Sequence, residues 1–421
     1  MSPLSANSIP REPLRKDPPF WILGAILVIQ YVRPQDVIPG LGALHIPMFV
    51  SIFAAGIWLF FRDYSALRDP QTKLFGAMLV LVALGVSWAV NYFWLYTSFE
   101  LLLIYFLGVF LPIVTFCNST ERLQRLNRTW ICVHLFVALW GIAHSGKGQG
   151  SFLKDENDLA MALGIALPFA YFNFVNKSET RMWRAISAIS FMVFIAAIIE
   201  TNSRGGFIGL LAAVGGIIWL SKSRLRIIIA LFAVGIVAFP FIPAEYRDQV
   251  TSISDTDDPT RLSRYYTWSR GWEMFLDNPV VGVGAGNYPW RVEEYELAST
   301  GDDFGKQKLH GGRAAHSLYF TLLPELGTLG VMVFASMAII SLRRFRRGMR
   351  FDASSKDESL VAFSKAGLCG LLSFLLSAVF LSALYYPHFW VLAGYSAVVA
   401  RVSCGVLKSS REPARFPSLV S

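Results

Sequence analysis

The chain has 421 residues, of which 54% are hydrophobic and only 16% charged, with a formal charge of +9. Those proportions exclude an ordinary soluble domain, because repeated apolar runs of about 20 residues match the thickness of a bilayer core. The basic excess does not point to nucleic acid, since lysines and arginines sit in short loops between apolar runs and not on one soluble face. The chain reads as an all-α polytopic membrane protein.

Residues 1–19 form a polar, proline-rich tail in which Arg11, Arg15 and Lys16 precede the first apolar run. No small-residue cleavage site follows that run, so it is read as a retained anchor. Twelve spans are expected, at about 20–32, 43–61, 74–90, 98–116, 129–145, 157–175, 183–199, 205–221, 225–242, 316–342, 362–382 and 386–404. Pro34 and Pro39 in YVRPQDVIPGL are expected to stop any helix after the first span. Nine spans therefore occupy 20–242 and three occupy 316–404, with one large loop at 243–315 and a second tail at 405–421. No internal repeat is seen, so neither a solenoid nor an inverted-repeat architecture is expected.

Alternate loops differ sharply in charge. One set, with both tails, holds 25 of the 38 basic residues, whereas the short loops of the other set hold only Arg33, Lys147, Lys154 and Arg204. Basic residues accumulate on the cytoplasmic side of membranes, so both tails are expected inside and the 243–315 loop outside. The four cysteines show neither zinc-ligand spacing nor a disulfide framework.

The large loop is the one long polar segment, and the chemistry is expected there and at the span mouths beside it. On a helix over 260–276, Arg261, Arg264, Tyr265, Trp268, Trp272 and Phe275 fall within roughly 100° of one another. Such a stripe suits an anionic, partly apolar ligand lying along a membrane surface. Pro279 and the alternating Gly282, Gly284 and Gly286 then break the helix and permit close backbone approach. Arg204, in TNSRGGFIGL at an outer mouth, is a functional candidate because a charge there is otherwise unfavourable. Arg33 reads equally as a functional cation or as an interface anchor. His316 stands between polar loop and apolar helix, where an imidazole suits a general base; the plainer reading is a helix-end residue. Glu325 follows Pro324 inside an apolar run and needs a partner, either an outer arginine or a structural kink. The run Asp255, Thr256, Asp257, Asp258 imitates a metal-binding DxD but, followed by Pro259, reads first as a solvated turn. GVGAGNY lacks a strand–helix unit, and no P-loop or G-x-S-x-G elbow occurs, so neither ATP nor a dinucleotide is expected.

Four stretches together resemble a known family: DENDLAMALGIALPFAYF at 155–172, SRGGFIGLL at 203–211, RYYTWSRGWEMFLDNPVVGVGAGNY at 264–288 and AHSLYFTLLPELGTLG at 315–330. Their order and loop placement are similar to the bacterial O-antigen ligase and O-antigen polymerase superfamily, over about 40% of the chain. YVRPQDVIPGL resembles the subgroup of exosortase-associated O-glycosylation ligases. The resemblance implies a GT-C type glycosyltransferase architecture in the bacterial inner membrane, with the active site facing the periplasm. It implies an inverting, metal-independent transfer without a cofactor, from an undecaprenyl diphosphate-linked glycan to lipid A-core or protein. Arg204 matches the arginine of the family's S-R motif, Arg264 the arginine four residues before the loop tryptophan, and His316 the histidine of its H-N motif. Ser317 stands where asparagine is usual, which puts that side chain's hydrogen bond in question. In this reading Arg204 and Arg264 stabilise charge on the leaving diphosphate and His316 takes the acceptor proton. Arg261, Arg33, Tyr265, Trp268, Trp272 and Glu325 line the substrate, with membrane lipid as the remaining partner. Two rivals are a polymerase of the same superfamily and a flippase, which would need paired midplane charges in matching halves.

Overall fold

The computed structural model describes residues 18–61, 64–226, 228–229, 259–298, 312–353 and 357–411. The regular elements among them are all helical. They are α1 (Pro18–Leu27), α2 (Pro34–Val37), α3 (Ile46–Phe61), α4 (Pro70–Leu84), α5 (Tyr92–Ile104), α6 (Leu111–Phe116), α7 (Thr120–Ala143) and α8 (Gly150–Leu153), then α9 (Glu156–Val175), α10 (Arg181–Glu200) and α11 (Arg204–Leu220). After residues 230–258, which are not described, follow α12 (Pro259–Asp277), α13 (Tyr288–Ala298), α14 (Tyr319–Gly348), α15 (Glu358–Ser377) and α16 (Pro387–Arg411).

Side chains start many of these helices. Asp69, Asn91, Ser119, Asp155, Thr180, Ser203 and Asp357 each accept a backbone N–H from the first turn of the helix that follows. A cap of this kind contributes about 1 kcal/mol and fixes where the chain enters the bundle.

Eight helical stretches among the described residues are long and apolar enough to cross a membrane: Leu41–Phe60, Pro70–Ser87, Tyr92–Phe116, Thr120–Ala143, Glu156–Val175, Arg181–Glu200, Tyr319–Phe351 and Glu358–Phe380. Eight, then, and not twelve, meet that condition. Of the other expected spans, 20–32 falls on α1 and its π-helical continuation Val28–Val32, 205–221 on the shorter α11, and 386–404 on α16. The span at 225–242 lies almost wholly outside the described residues. One local expectation is corrected: Pro34 does not end helical structure but begins α2 at its first position. A proline there gives up an N–H that a helix start leaves unpaired anyway; left-handed Arg33 (φ 50°) makes the break.

Helix α9 runs through the middle of the bundle, its side chains from Leu159 to Ala170 fully buried. Small residues bring its neighbours close. A Cβ on Gly209 of α11 would lie 2.0 Å from Ser377 Oγ, and one on Gly164 of α9 would lie 2.9 Å from Ser373 Oγ. Ser373 also donates to the Gly209 carbonyl at 2.9 Å. Elsewhere Asn127, Asn173 and Ser187 link α7, α9 and α10 through bonds of 2.9 and 2.8 Å. Gln71 of α4 donates to Met337 O and Ser341 Oγ of α14 and to Ser396 Oγ of α16. Lipid tails are as apolar as leucine, so this close packing and polar bonding, more than apolar burial, hold membrane helices to one another.

The loops sort to two ends. At one end Arg344 grips Asp69 with bonds of 3.0 and 2.8 Å, Arg128 pairs with Glu179 at 2.7 Å, and Thr120 reaches Asp357. At the other, the loops at 33–45, 88–91, 144–155, 201–203, 278–287, 312–318 and 378–386 meet. These are the loops that the charge bias assigns to the outside.

Candidate active site at the loop mouth

The mouth is built on a broken helix. Helix α14 carries Pro324 inside it and Gly327 in an extended left-handed conformation (φ 59°, ψ −163°). An unbroken helix would bond Thr328 N–H to Pro324 O and Leu329 N–H to Glu325 O. Instead, Thr328 and Leu329 donate to Pro279 O and Val280 O at 2.8 and 3.1 Å, and Pro324 O and Glu325 O accept from Val283 and Gly284 at 2.8 and 2.9 Å. The polar loop thus runs antiparallel to the gap and takes over all four orphaned groups. Glycines make this possible: a Cβ on Gly282 would lie 2.3 Å from the Glu325 carbonyl carbon, and one on Gly327 2.5 Å from that of Val280. Glu325, 1% exposed, completes the joint. Its carboxylate accepts Gly286 N–H at 2.8 Å, Tyr288 N–H at 3.1 Å and the Tyr385 hydroxyl at 2.6 Å. Of the two partners open in the sequence, the structure selects the kink: among the described residues Glu325 holds loop backbone and a phenol, not an outer arginine. Its buried place makes it a scaffold for the mouth.

Helix α12 lies against α14. Trp268 stacks on Phe320 (5.1 Å, 8° between planes) and donates its indole N–H to Ala315 O at 2.9 Å. Arg264, one turn earlier, sits 5.7 Å above the Phe380 ring, and Trp268 borders the same ring at 6.3 Å. The sequence-read stripe is therefore split. Arg264 and Trp268 turn toward the mouth beside the buried Thr267 and Met274, while Tyr265 and Trp272 remain 52% and 47% exposed. The inward face is set by Gly271, where a Cβ would already touch Tyr288 at 3.3 Å. The Arg261 side chain and the 255–258 run lie outside the described residues.

His316 follows Ala315 directly and has a left-handed backbone (φ 47°). Burial pushes its imidazole below the ordinary value, and the Arg264 guanidinium lowers it further; Asp155 opposes the shift and Arg313 adds to it. The ring still reaches solvent, and the downward shift favours the neutral imidazole, the form that accepts a proton. Ser317, buried at 1%, accepts Phe320 N–H at 3.5 Å and passes its own carbonyl to Thr321, a helix-starting role that needs only a side-chain oxygen. Leu318 N–H binds Ala378 O at 2.9 Å, fastening the segment to the 378–386 loop that carries Phe380.

Arg204 is the first residue of α11. Its cap, Ser203, donates to Asn157 Oδ1 at 2.6 Å and accepts Gly206 N–H at 2.9 Å, so the α9 start fixes the α11 start. Phe380 lies between the two helices: Arg264 stands over its ring, and a Cβ on Gly205, next to Arg204, would lie 3.4 Å from the Phe380 Cβ. Asp158 accepts the Tyr386 hydroxyl at 3.1 Å. The structure hence brings the start of α11, at Arg204, to the mouth that holds Arg264 and His316. It also adds residues to which no role had been given from sequence: Asp155, Asn157, Asp158, Phe380, Tyr385 and Tyr386. The first three lay inside a recognised motif; the aromatic trio lay in a short apolar connection with no distinguishing pattern.

Arg33 stands apart from these three. Its guanidinium lies 5.4 Å from the Phe152 ring and pairs with Asp36 at 2.5 Å. Phe152 in turn packs on Tyr386 at 5.5 Å, so one ring separates Arg33 from the Asp158–Tyr386 pair.

The fold is a multi-pass helix bundle with Arg264 and His316 at a polar mouth. Residues 188–335, which include Arg204, Arg264, His316 and Glu325, match the family described as O-antigen ligase. The chain is also similar to the teichuronic acid biosynthesis protein TuaE of Bacillus subtilis (strain 168), at 23% identity over 402 residues, 87% of this chain and 75% of that protein. These findings support an O-antigen ligase-type superfamily and an O-antigen ligase- or polymerase-like multi-pass membrane enzyme.

Proposed function

We propose that the protein is a glycan ligase of the bacterial inner membrane, with its mouth facing the periplasm. It moves a saccharide from undecaprenyl diphosphate to the hydroxyl of an external acceptor, lipid A-core or protein, with inversion and without a metal. What supports this reading is Arg264 over the Phe380 ring beside His316, with the start of α11, at Arg204 and Gly205, against the same Phe380. Departure of the lipid diphosphate places negative charge on its leaving oxygen. Two fixed guanidiniums stabilise that charge with little reorganisation, and their planar forks suit phosphate oxygens. His316 removes the acceptor proton as the new glycosidic bond forms, so the anomeric bond to diphosphate breaks while the proton passes to imidazole. Trp268 and the exposed Tyr265 and Trp272 offer surfaces for sugar rings or the membrane interface.

The test is purified protein given a lipid-linked glycan and candidate acceptors, scoring lipid diphosphate release and product together. Release coupled to glycan joined to lipid A-core or protein supports a ligase; glycan joined to glycan would establish a polymerase, and donor crossing the bilayer without release a flippase. Turnover is expected to persist in EDTA. Loss in EDTA with rescue by a divalent ion would return a metal role to the Asp255–Asp258 run.

A further inference from the structure

The short outer loops hold only four basic residues, and three of them, Arg33, Lys147 and Lys154, line one open cavity of about 940 Å³. Outside the cytoplasm such a concentration has no topogenic use. Nor is Arg33 an interface anchor: its side chain is only 15% exposed, held by Phe152 and Asp36 instead of reaching to lipid headgroups. The backbone around the cavity is bent into place, with Arg33, Ser145, Gly146 and Gly150 all left-handed. A Cβ on Gly150 would collide with Arg33 Nε at 2.2 Å, so this loop is shaped to the arginine.

Two further features define what would fit. Gln149 also lines the cavity and is 4% exposed, yet its amide oxygen has no hydrogen-bond partner among the described residues. A buried amide without a partner is costly, and turning this side chain into the cavity would let it meet a ligand hydroxyl or anion. On another wall the His144 ring stacks on Trp140 at 4.0 Å and 10°, giving a flat aromatic surface. Cations, an amide and an aromatic plate together match a sugar ring that carries a negative charge. Asp36 and Glu156 answer only part of the positive charge: Arg33 is paired with Asp36, while the Lys147–Glu156 contact is 3.6 Å long and exposed.

We propose that this cavity is a second, anion-reading subsite that holds an acidic sugar of the glycan, by carboxylate or phosphate, while transfer occurs at the neighbouring mouth. The inference rests on the glycan-transfer reading for its place in the reaction. The two sites adjoin: Phe152 lies between Arg33 and Tyr386, and Gly146 packs on the Glu200–Thr201 backbone just before Ser203 and Arg204. The subsite would select charged glycans over neutral ones.

Binding to the purified full chain tests it without requiring turnover. The probes are trigalacturonate, maltotriose as its neutral counterpart, and inorganic phosphate, compared between wild type and the double variant Lys147→Gln, Lys154→Gln. Trigalacturonate is expected to bind in preference to maltotriose, with phosphate competing. The double variant is expected to weaken trigalacturonate about tenfold or more, since it removes two charge-assisted contacts. Its thermal melting and its binding of undecaprenyl diphosphate should stay as in wild type, which separates this subsite from the Arg204–Arg264 mouth. Equal binding of trigalacturonate and maltotriose, or unchanged trigalacturonate affinity in the double variant, would overturn the proposal. So would a loss confined to phosphatidylglycerol bilayers over phosphatidylcholine ones, which would assign the cavity to a lipid headgroup. Failure to bind undecaprenyl diphosphate in wild type would instead count against the transfer reading.

Discussion

The two ends of this bundle are built by opposite rules. At the end that the charge bias places inside, charges meet in pairs that tie distant segments together, such as Arg344–Asp69 and Arg128–Glu179. At the mouth end lie all five non-glycine residues with left-handed backbone among the described residues: Arg33, His45, Ser145, Asn202 and His316. Each such residue costs roughly 1–3 kcal/mol, and such strain collects where side chains must be held in unusual directions. One end is arranged for stability, the other for the placement of groups. Mutations at the two ends should therefore fail in different ways.

The largest effect expected is at His316. His316→Ala should leave donor binding nearly intact and lower single-turnover transfer by roughly 10²–10⁴-fold, the usual range for losing a general base. Arg204→Ala should instead weaken donor binding. Wild-type transfer by His316→Ala would return the histidine to a helix-end role. At the opposite end, Glu179→Gln should do the reverse. The Glu179 side chain is fully buried against Arg128, so its loss should cost about 1–3 kcal/mol of stability, read as lower thermal melting, with transfer per folded molecule unchanged. A drop in specific transfer with no change in melting would erase the contrast between the ends.

Smaller and more diagnostic is the pH dependence. A base must be neutral, so transfer should fall as pH drops through the His316 pKa. Arg264 holds that pKa down and Asp155 holds it up. Arg264→Gln should therefore move the acid limb of single-turnover transfer to higher pH, and Asp155→Asn should move it to lower pH. Shifts of the same sign in both variants would mean that another group controls the limb. Arg264→Lys keeps the charge and should keep the limb near its wild-type position, while recovering donor binding only in part.

Much of this architecture could be read from residues. Apolar runs gave most of the helices, and the SRGG, RYYTW and AHS stretches pointed to Arg204, Arg264 and His316. The partners of these residues could not be read, for a physical reason. Phe380, Tyr385 and Tyr386 serve the site through contacts across long sequence separations, and an aromatic residue in a membrane protein looks the same whether it packs, anchors or positions. The division of the α12 stripe was equally hidden, because a helical period fixes which residues share a face but not which edge meets a neighbour. Nothing in the sequence sets Gly327 apart from the other small residues of its span; its non-helical backbone marks the break in α14. The ninth expected span remains a matter of sequence, since its residues lie almost wholly outside those described.

The break in α14 also bears on how the chain is assembled. A span interrupted at Pro324 to Leu329 offers two naked carbonyls and two naked amides, and in hydrocarbon each unpaired group costs several kcal/mol. The segment that relieves them, residues 279–284, lies earlier in the chain and is synthesised first. It must already be in place when α14 enters the membrane, so placement of residues 279–284 and insertion of α14 become one event with a fixed order. A chain whose loop was delayed or cleaved before α14 entered would hold a helix unable to rest at its proper depth.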